Sequence, residues 1–372
     1  MFAQNNTHML PEVDIVILNH NGKRFLDECL SSVLQSTYKK KQVYLLDNAS
    51  TDDDVNYVTQ KYPEVKIIQN KLNNGYCAAY NLAFRRCPGE YIICLNNDVT
   101  VAPNWIEGMV NLAESDQQIA AIQPKILSYQ NPNEFEYAGA SGGMYDVFGY
   151  PFLRGRVFTH LEKDNGQYND VAQVFWTSGA AMFLRKSALA VSGLLDVTIV
   201  HHMDEIDLCW RLRMAGFKLY VQPKSVIHHI GGGTITQHSF AKTYWNHRNA
   251  LYIMLKNYEF KNVVKYVPIH ILLDVVAALQ GLLTLNFTMV RAIAAAHLWI
   301  IWHGNLIMSK RSKVQRKRKL PDSEVLPFMY RGSIVYQFFI KKINTFSQLI
   351  KVTQHENKCS TSSLEWTDGA SA

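Results

Sequence analysis

Apolar and polar positions alternate in blocks along the first hundred residues. VDIVILNHNG, from Val13, is a β-branched run closed by turn residues and predicts a strand. KRFLDECLSSVLQS follows, with Phe25, Leu26, Cys29, Leu30, Val33 and Leu34 at helical spacing. The alternation then repeats. QVYLLDNASTDD reads as a strand closing in an Asx-rich turn, VNYVTQKY as a helix and VKIIQN as a strand. GYCAAYNLAFRRC reads as a helix and EYIICLNND as a fourth strand. Strands alternating with helices imply βαβ units, so the fold class is α/β, with a mostly parallel sheet flanked by helices. Ligands of such sheets sit beyond the carboxyl ends of the strands. Three of those ends read LNHNG, LLDNAS and LNNDV, so polar residues gather where a ligand would be.

Further on, VFWTSGAAMFLRKSAL predicts a strand running into a helix. HHMDEIDLCWRLRMAGF predicts a helix with an acidic start, stopped by Gly216 and followed by a strand. From about Lys261 the pattern becomes strongly apolar, enough for two helices, and leads into the basic run KRSKVQRKRKL. The expected division is a catalytic domain over 1–255 and an apolar, basic helical extension over 256–372.

Charge sharpens that division. The net charge is +7, but residues 306–372 hold 12 Lys and Arg against 5 Asp and Glu, and the first 305 residues balance at 26 each. The positive charge belongs to the tail. Six cysteines, at 29, 77, 87, 94, 209 and 359, form no C-x-x-C pair. This points to reduced thiols in a cytosolic setting rather than a zinc site or disulfide scaffold. The N-terminus lacks a charged segment followed by an apolar one, so no signal peptide is expected.

Several positions carry candidate chemistry. A strand-end carboxylate such as Asp98 suits a hard cation that keeps sites open for phosphate, although Asn-Asp also simply makes turns. Asp47 has the position to bond a base or ribose. Asp204, Glu205 and Asp207 crowd a helix N-terminus, where the dipole favours acids, and Asp207 and Arg211 are i,i+4 partners. Glu205 is the candidate general base. VIHHIGGGT sets a histidine pair before Gly231, Gly232 and Gly233, which permit close approach to a ligand. No G-x-x-x-x-G-K-[ST] and no strand-linked G-x-G-x-x-G occurs.

The order of these motifs, over roughly residues 11–255, resembles the family 2 glycosyltransferases of GT-A fold, particularly bacterial rhamnosyltransferase-like members. VDIVILNHNG resembles the family's opening strand and nucleotide-contacting loop, which implies Asn19 and Asn21 at the donor. LLDNASTDD is similar to its Val-Asp-Asn-x-Ser-x-Asp element and implies Asp47 on the base or ribose. NNGYCAAYN resembles the next element, ending at Asn81. LNNDV stands where the family has Asp-x-Asp, implying Asn97 and Asp98 at the donor and Asp98 on the metal, with an amide at Asn96 in place of one acid. MDEIDLCWRLRMAGF resembles Glu-Asp-x-Asp-x-x-x-Arg with the first two acids exchanged. This implies Glu205 as base, Asp204 as its fallback and Arg211 at the donor. HHIGGGT resembles His-x-Gly-Gly and implies His229 as a metal ligand. YWNHRNALY resembles a recurrent Arg-Asn stretch, here Arg248 and Asn249. The resemblance implies an inverting transfer from a nucleotide-diphosphate sugar, dTDP-rhamnose being one candidate, with Mg²⁺ or Mn²⁺. The implied acceptor is a glycan or a lipid-linked sugar in cell-surface polysaccharide synthesis.

Two alternatives compete. A non-catalytic sugar-nucleotide-binding protein would account for the altered acids. A sugar-nucleotide pyrophosphorylase would want a Gly-rich basic loop after the first strand, and LNHNGKRF has one glycine. For the tail, a spanning helix, an interfacial helical pair and helices packed on the catalytic domain all remain open. Seven Lys and Arg in Lys310–Lys319 favour an anionic membrane surface, with the enzyme peripheral on the cytoplasmic face. Nucleic acid is not expected, because no aromatics interleave the run.

Overall fold

The structure is a computed structural model describing residues 10–231 and 239–359. Gly232 and Gly233 of the glycine run, and the first nine residues, lie outside the described residues. The chain runs β1 (Val13–Asn19), α1 (Lys23–Leu34), β2 (Lys41–Asp47), α2 (Asp54–Lys61), β3 (Lys66–Gln69), α3 (Gly75–Arg86) and β4 (Tyr91–Asn96). It continues through β5 (Val99–Val101), α4 (Trp105–Ser115), β6 (Ile119–Ser128), and four short strands, β7 (Gly143–Tyr145), β8 (Pro151–Leu153), β9 (Arg156–Val157) and β10 (His160–Leu161). Then come β11 (Ala172–Gln173), β12 (Ala181–Arg185), α5 (Lys186–Ser192), α6 (Asp204–Met214) and β13 (Lys218–His229). The C-terminal part holds α7 (Phe240–Asn257), α8 (Phe260–Leu283), α9 (Phe287–Trp302) and α10 (Gly304–Lys317). The short α11 (Asp322–Val325), α12 (Ile334–Phe339) and α13 (Phe346–Cys359) complete it.

The main sheet has the order β11-β13-β6-β12-β4-β1-β2-β3, with β5 paired to β13. β3, β2, β1 and β4 are parallel, as are β6 and β13, while β12, β5 and β11 run antiparallel. The expected mostly parallel sheet is therefore present. The second sheet, β10-β9-β8-β7, is built from strands of two or three residues, too short to leave a pattern.

Both faces of the main sheet are covered, which is why β4 and β12 read as near-continuous apolar runs. Val13, Ile15 and Ile17 pack with Leu26, Leu30 and Val33 of α1 and with Trp105 and Met109 of α4. Val16, Ile92 and Cys94 face the other way, into a core shared with α3, α6 and α7. The helical spacing of α1 thus buries one stripe, and Leu30→Ala would cost about 2–5 kcal/mol.

The boundary expected at 255 falls inside α7. Tyr252, Tyr258, Ile307 and Met329 share one core with Tyr145, Phe175 and Trp210. The Trp210 and Tyr258 rings meet edge to face at 4.6 Å. The two predicted apolar helices are α8 and α9. The basic run is mostly helical, in α10, rather than a linker, and three of its seven cations are used internally. Lys310 Nζ lies 2.7 Å from Asp196, Arg311 donates to the carbonyls of Leu255 and Tyr258, and Arg318 donates to Asp322.

Candidate active site

Strand register assembles the first part of the site. β1 pairs in parallel with β2 and β4, setting Asn19 beside Asp47 and Leu18 beside Asn96. Asn19 is fully buried. Its Nδ2 donates to Asp54 Oδ2 at 2.7 Å, and its Oδ1 accepts from Asn97 Nδ2 at 2.7 Å. The Gly22 amide donates to the same Asp54 oxygen at 2.9 Å. A Cβ at Gly22 would stand 2.0 Å from Asn97 Nδ2, so the turn needs glycine for this close approach. Asn21 takes a left-handed conformation (φ 52°), and its Oδ1 accepts from the Thr51 amide at 2.8 Å. Asn19, Asn21 and Asn97 therefore come together, but largely to bond their own surroundings. Asp47 differs. Its Oδ1 accepts from the Ser50 amide at 3.2 Å, while its Oδ2 is buried with no partner. Such an acceptor calls for a donor from outside.

The second part is built by β13 returning beside β5. His229 pairs with Val99, and the Ile230 amide donates to the Asp98 carbonyl at 2.9 Å. His229 Nε2 then lies 3.1 Å from Asp98 Oδ1, and Asn96 Nδ2 stands 3.4 Å from the same nitrogen. His229 Nδ1 is 3.3 Å from Glu136 Oε1, at ion-pair distance but without hydrogen-bond alignment. Burial pushes the Asp98 carboxyl up, but the hydrogen bond and charge of His229 outweigh this and hold it below its ordinary value. Burial pushes His229 down. Its contacts with Asp98 and Glu136 more than reverse that, raising its pKa to about 10.

The third part is the start of α6. His202 and Met203 both adopt left-handed conformations, with φ of 62° and 65°, ahead of the first helical residue Asp204. Such residues cost about 1–3 kcal/mol each and persist only when held. Asn249 Nδ2 holds them, donating to the carbonyls of His201 at 2.6 Å and His202 at 2.8 Å, while Arg248 donates to the Thr198 carbonyl at 2.8 Å. Burial and the adjacent Glu205 charge push the Asp204 carboxyl well above its ordinary value. Burial also raises Glu205, while a hydrogen bond from Asp204 works the other way. Both carboxyls of the pair are therefore pushed up, Asp204 the more strongly. Both carboxyls act electrostatically on Tyr76, and Asp204 acts on Cys94 of β4, the strand that ends in Asn96.

Two predicted donor contacts lie elsewhere. Arg211 donates to Asp207 at 2.9 Å and to the carbonyls of Ser192, Gly193 and Leu194 at 2.9–3.1 Å, so its guanidinium is committed to a structural clamp. Asn81 bonds the Leu195 backbone at both ends of its amide, at 2.9 and 3.0 Å. Both residues brace the segment that leads to Glu205.

A family model, Glycosyl transferase family 2, matches residues 14–189. That matched region, residues 14–189, is of the glycosyltransferase family 2 type. This glycosyltransferase is 28% identical over 242 residues to the N-acetylglucosaminyl-diphospho-decaprenol L-rhamnosyltransferase of Mycobacterium tuberculosis, covering 60% of this chain and 76% of that one. It is 25% identical over 216 residues to the putative glycosyltransferase EpsE of Bacillus subtilis, covering 56% and 69%. Its fold is similar to that of GalNAc-T7, solved with UDP, GalNAc and Mn²⁺, at a TM-score of 0.55 and 18% identity over 70% of this chain and 50% of that one. It is a GT-A-like α/β fold followed by a C-terminal helical region.

The glycosyltransferase has further residues at the site that its sequence did not single out. Glu136 backs His229, Asp54 ties β1 to α2, and His202 holds a buried Nε2 without a partner just before Asp204. Asp54, at the first position of α2 in STDDD, carried the one usable signal, an acid at a helix start. Asp98 Oδ1 and His229 Nε2 have the spacing of adjacent corners of an octahedron with ~2.1 Å bonds. Among the described residues, no group of three or more His, Cys, Asp or Glu side chains is arranged to hold an ion. The donor set fits an ion shared with phosphate oxygens.

Proposed function

We propose that the protein moves a sugar, with inversion, from a nucleotide-diphosphate sugar to a glycan or lipid-linked acceptor in cell-surface polysaccharide synthesis. Similarity to the mycobacterial rhamnosyltransferase supports a rhamnosyl donor such as dTDP-rhamnose and an acceptor carried on a lipid diphosphate. The observation that carries the reading is the Asp98–His229 pair, 3.1 Å apart, beside a strand end where Asp47 Oδ2 is buried without a partner. Asp47 accepts from the base or ribose. Asp98 and a neutral His229 would hold Mg²⁺ or Mn²⁺, the ion displacing the imidazole proton. A divalent cation bound there supplies Lewis-acid neutralisation of the leaving diphosphate. Glu205 takes the proton of the acceptor hydroxyl as that oxygen bonds the anomeric carbon and the bond to the diphosphate breaks. Asp204 donates to Glu205 and keeps it in place. The basic, apolar tail brings the enzyme to an anionic membrane on the cytoplasmic face.

Calorimetry with UDP, dTDP and GDP, with and without Mn²⁺, tests this. The expected result is metal-dependent binding of one diphosphate, lost in Asp98→Ala and kept in Glu205→Gln. Binding of no diphosphate would overturn the site. Binding of the sugar nucleotide with no turnover on any acceptor would favour the non-catalytic reading, which the amide at Asn96 motivates.

A further inference from the structure

Helix α8 is inside out. The polar residues along its middle, His270 and Asp274, face the protein. Asp274 is fully buried, with Oδ1 2.7 Å from His247 Nδ1 of α7 and Oδ2 2.8 Å from His297 Nε2 of α9. His270 Nδ1 lies 2.6 Å from the Phe148 carbonyl, in the turn between β7 and β8. Its outer face is the reverse. Between Lys265 and Gln280 every exposed position is apolar, from Pro268 through Leu272 and Val276 to Leu279. Leu272 is 60% exposed, and Leu283, near the far end, 86%. The end of α9 adds Trp302 at 77%. Ordinary water-facing helices show the opposite polarity, and contiguous apolar faces of this kind mark interaction sites.

Charge names the partner. Residues 260–319 contain ten Lys and Arg and a single acid, the buried Asp274. Lys310, Arg311 and Arg318 are bonded internally, while Lys261, Lys265, Arg291, Lys313, Arg316, Lys317 and Lys319 are exposed. Apart from Lys261, which meets Glu259 at 3.3 Å, these exposed cations form no ion pair with an acid among the described residues, and an apolar face carried on so basic a stretch of chain fits anionic lipid.

α8 is long and apolar enough to cross a membrane by length and composition. Its contacts argue against crossing. A lone spanning helix meets lipid all round, whereas α8 is committed along one side to α7, α9 and the Phe148 turn, and α7 packs into the main core. The apolar stripe from Val264 to Leu283 runs ~28 Å along one side only. It reaches lipid along its full length only if the helix axis lies in the membrane plane. We propose that the α8–α9 hairpin lies flat in the surface layer of an anionic bilayer, outer face down, and crosses no membrane. This deepens the membrane reading given above and rests on it.

Single cysteines placed at Val264, Val275 and Leu283 in a Cys359→Ser background would carry a fluorophore. The other five native cysteines are buried. Full-length protein is mixed with vesicles of phosphatidylcholine alone or with phosphatidylglycerol, the lipids being brominated near the carbonyl or at mid-chain. The expected result is equal, shallow quenching at all three sites on the anionic vesicles. Neutral vesicles should bind more than about tenfold more weakly, and so should Leu272→Glu/Val276→Glu on anionic ones. Deep quenching at Val275 with shallow ends would establish a spanning helix and overturn the proposal. Absence of quenching would overturn it too, and sedimentation would then show whether a second copy covers the face. Diphosphate calorimetry without vesicles, on the same variants, verifies folding and keeps failure here separate from failure of the glycosyl-transfer reading.

Discussion

Two acidic centres close on strand β4 and are pushed in opposite directions. Asp98 sits against an imidazole that holds it below its ordinary value, while Asp204 is buried beside Glu205 and is held well above it. The functional group is the same, so the difference lies in the neighbour: a cation in one case, a second carboxyl in the other. Pairs of titratable groups driven apart in this way mark divided roles. One centre stays charged and suits a cation and phosphate; the other handles a proton. Asp207, one turn into α6, repeats the first arrangement. Burial raises it, but Lys256 and Arg211 overrule burial and lower it.

The strongest break would come at Glu205. Glu205→Gln should lower kcat by about 10²–10⁴-fold with diphosphate affinity unchanged, measured by nucleotide release. A variant with full kcat would erase the division between the centres. Next is Lys256, fully buried between Asp196 at 2.7 Å and Asp207 at 2.9 Å. Lys256→Met leaves both acids without that cation and should cost about 3–5 kcal/mol in urea unfolding. Because Asp207 is depressed in the folded state, the stability it contributes is present above the unfolded value of about 3.9 and is lost as pH falls through its lowered pKa. Glu136→Gln should weaken Mn²⁺-dependent diphosphate binding by about 10–100-fold, read by calorimetry, because it loosens a partner of His229. The smallest effect is on the pH profile. Glu205 is raised by burial, so kcat/KM should fall on the acid side through a pKa above the ordinary ~4.3. Asp204→Asn, which retains a donor to Glu205, should leave that limb nearly in place. A limb at or below the ordinary value would assign it to a different carboxylate.

The parts of the fold written in repeated patterns were legible. Strand-like runs of four to seven residues alternating with helical stripes specify the β1-to-β4 half and its strand ends, and motif order singled out Asp47, Asp98 and His229 as candidates. What stayed hidden depends on backbone rather than side-chain pattern. Arg211 and Asn81 bond carbonyls and amides of 192–195, a segment with no periodicity of its own, so a motif position looked like a ligand position. Glu136 lies on an irregular stretch and reaches His229 only through folding. The polarity of α8 was visible as composition, but its inversion needed the assignment of faces: His270 and Asp274 read as breaks in an apolar helix until they proved to be its inward side.

The ionic knot around Lys256 also bears on where the chain can be cut. Asp196 and Asp207 come earlier in the chain than their cations Lys256 and Lys310. Without those lysines Asp207 keeps Arg211, and Asp196 has neither of its ion-pair partners. A chain ending at residue 255 would leave both acids without their lysines and the shared core without Tyr258, Ile307 and Met329.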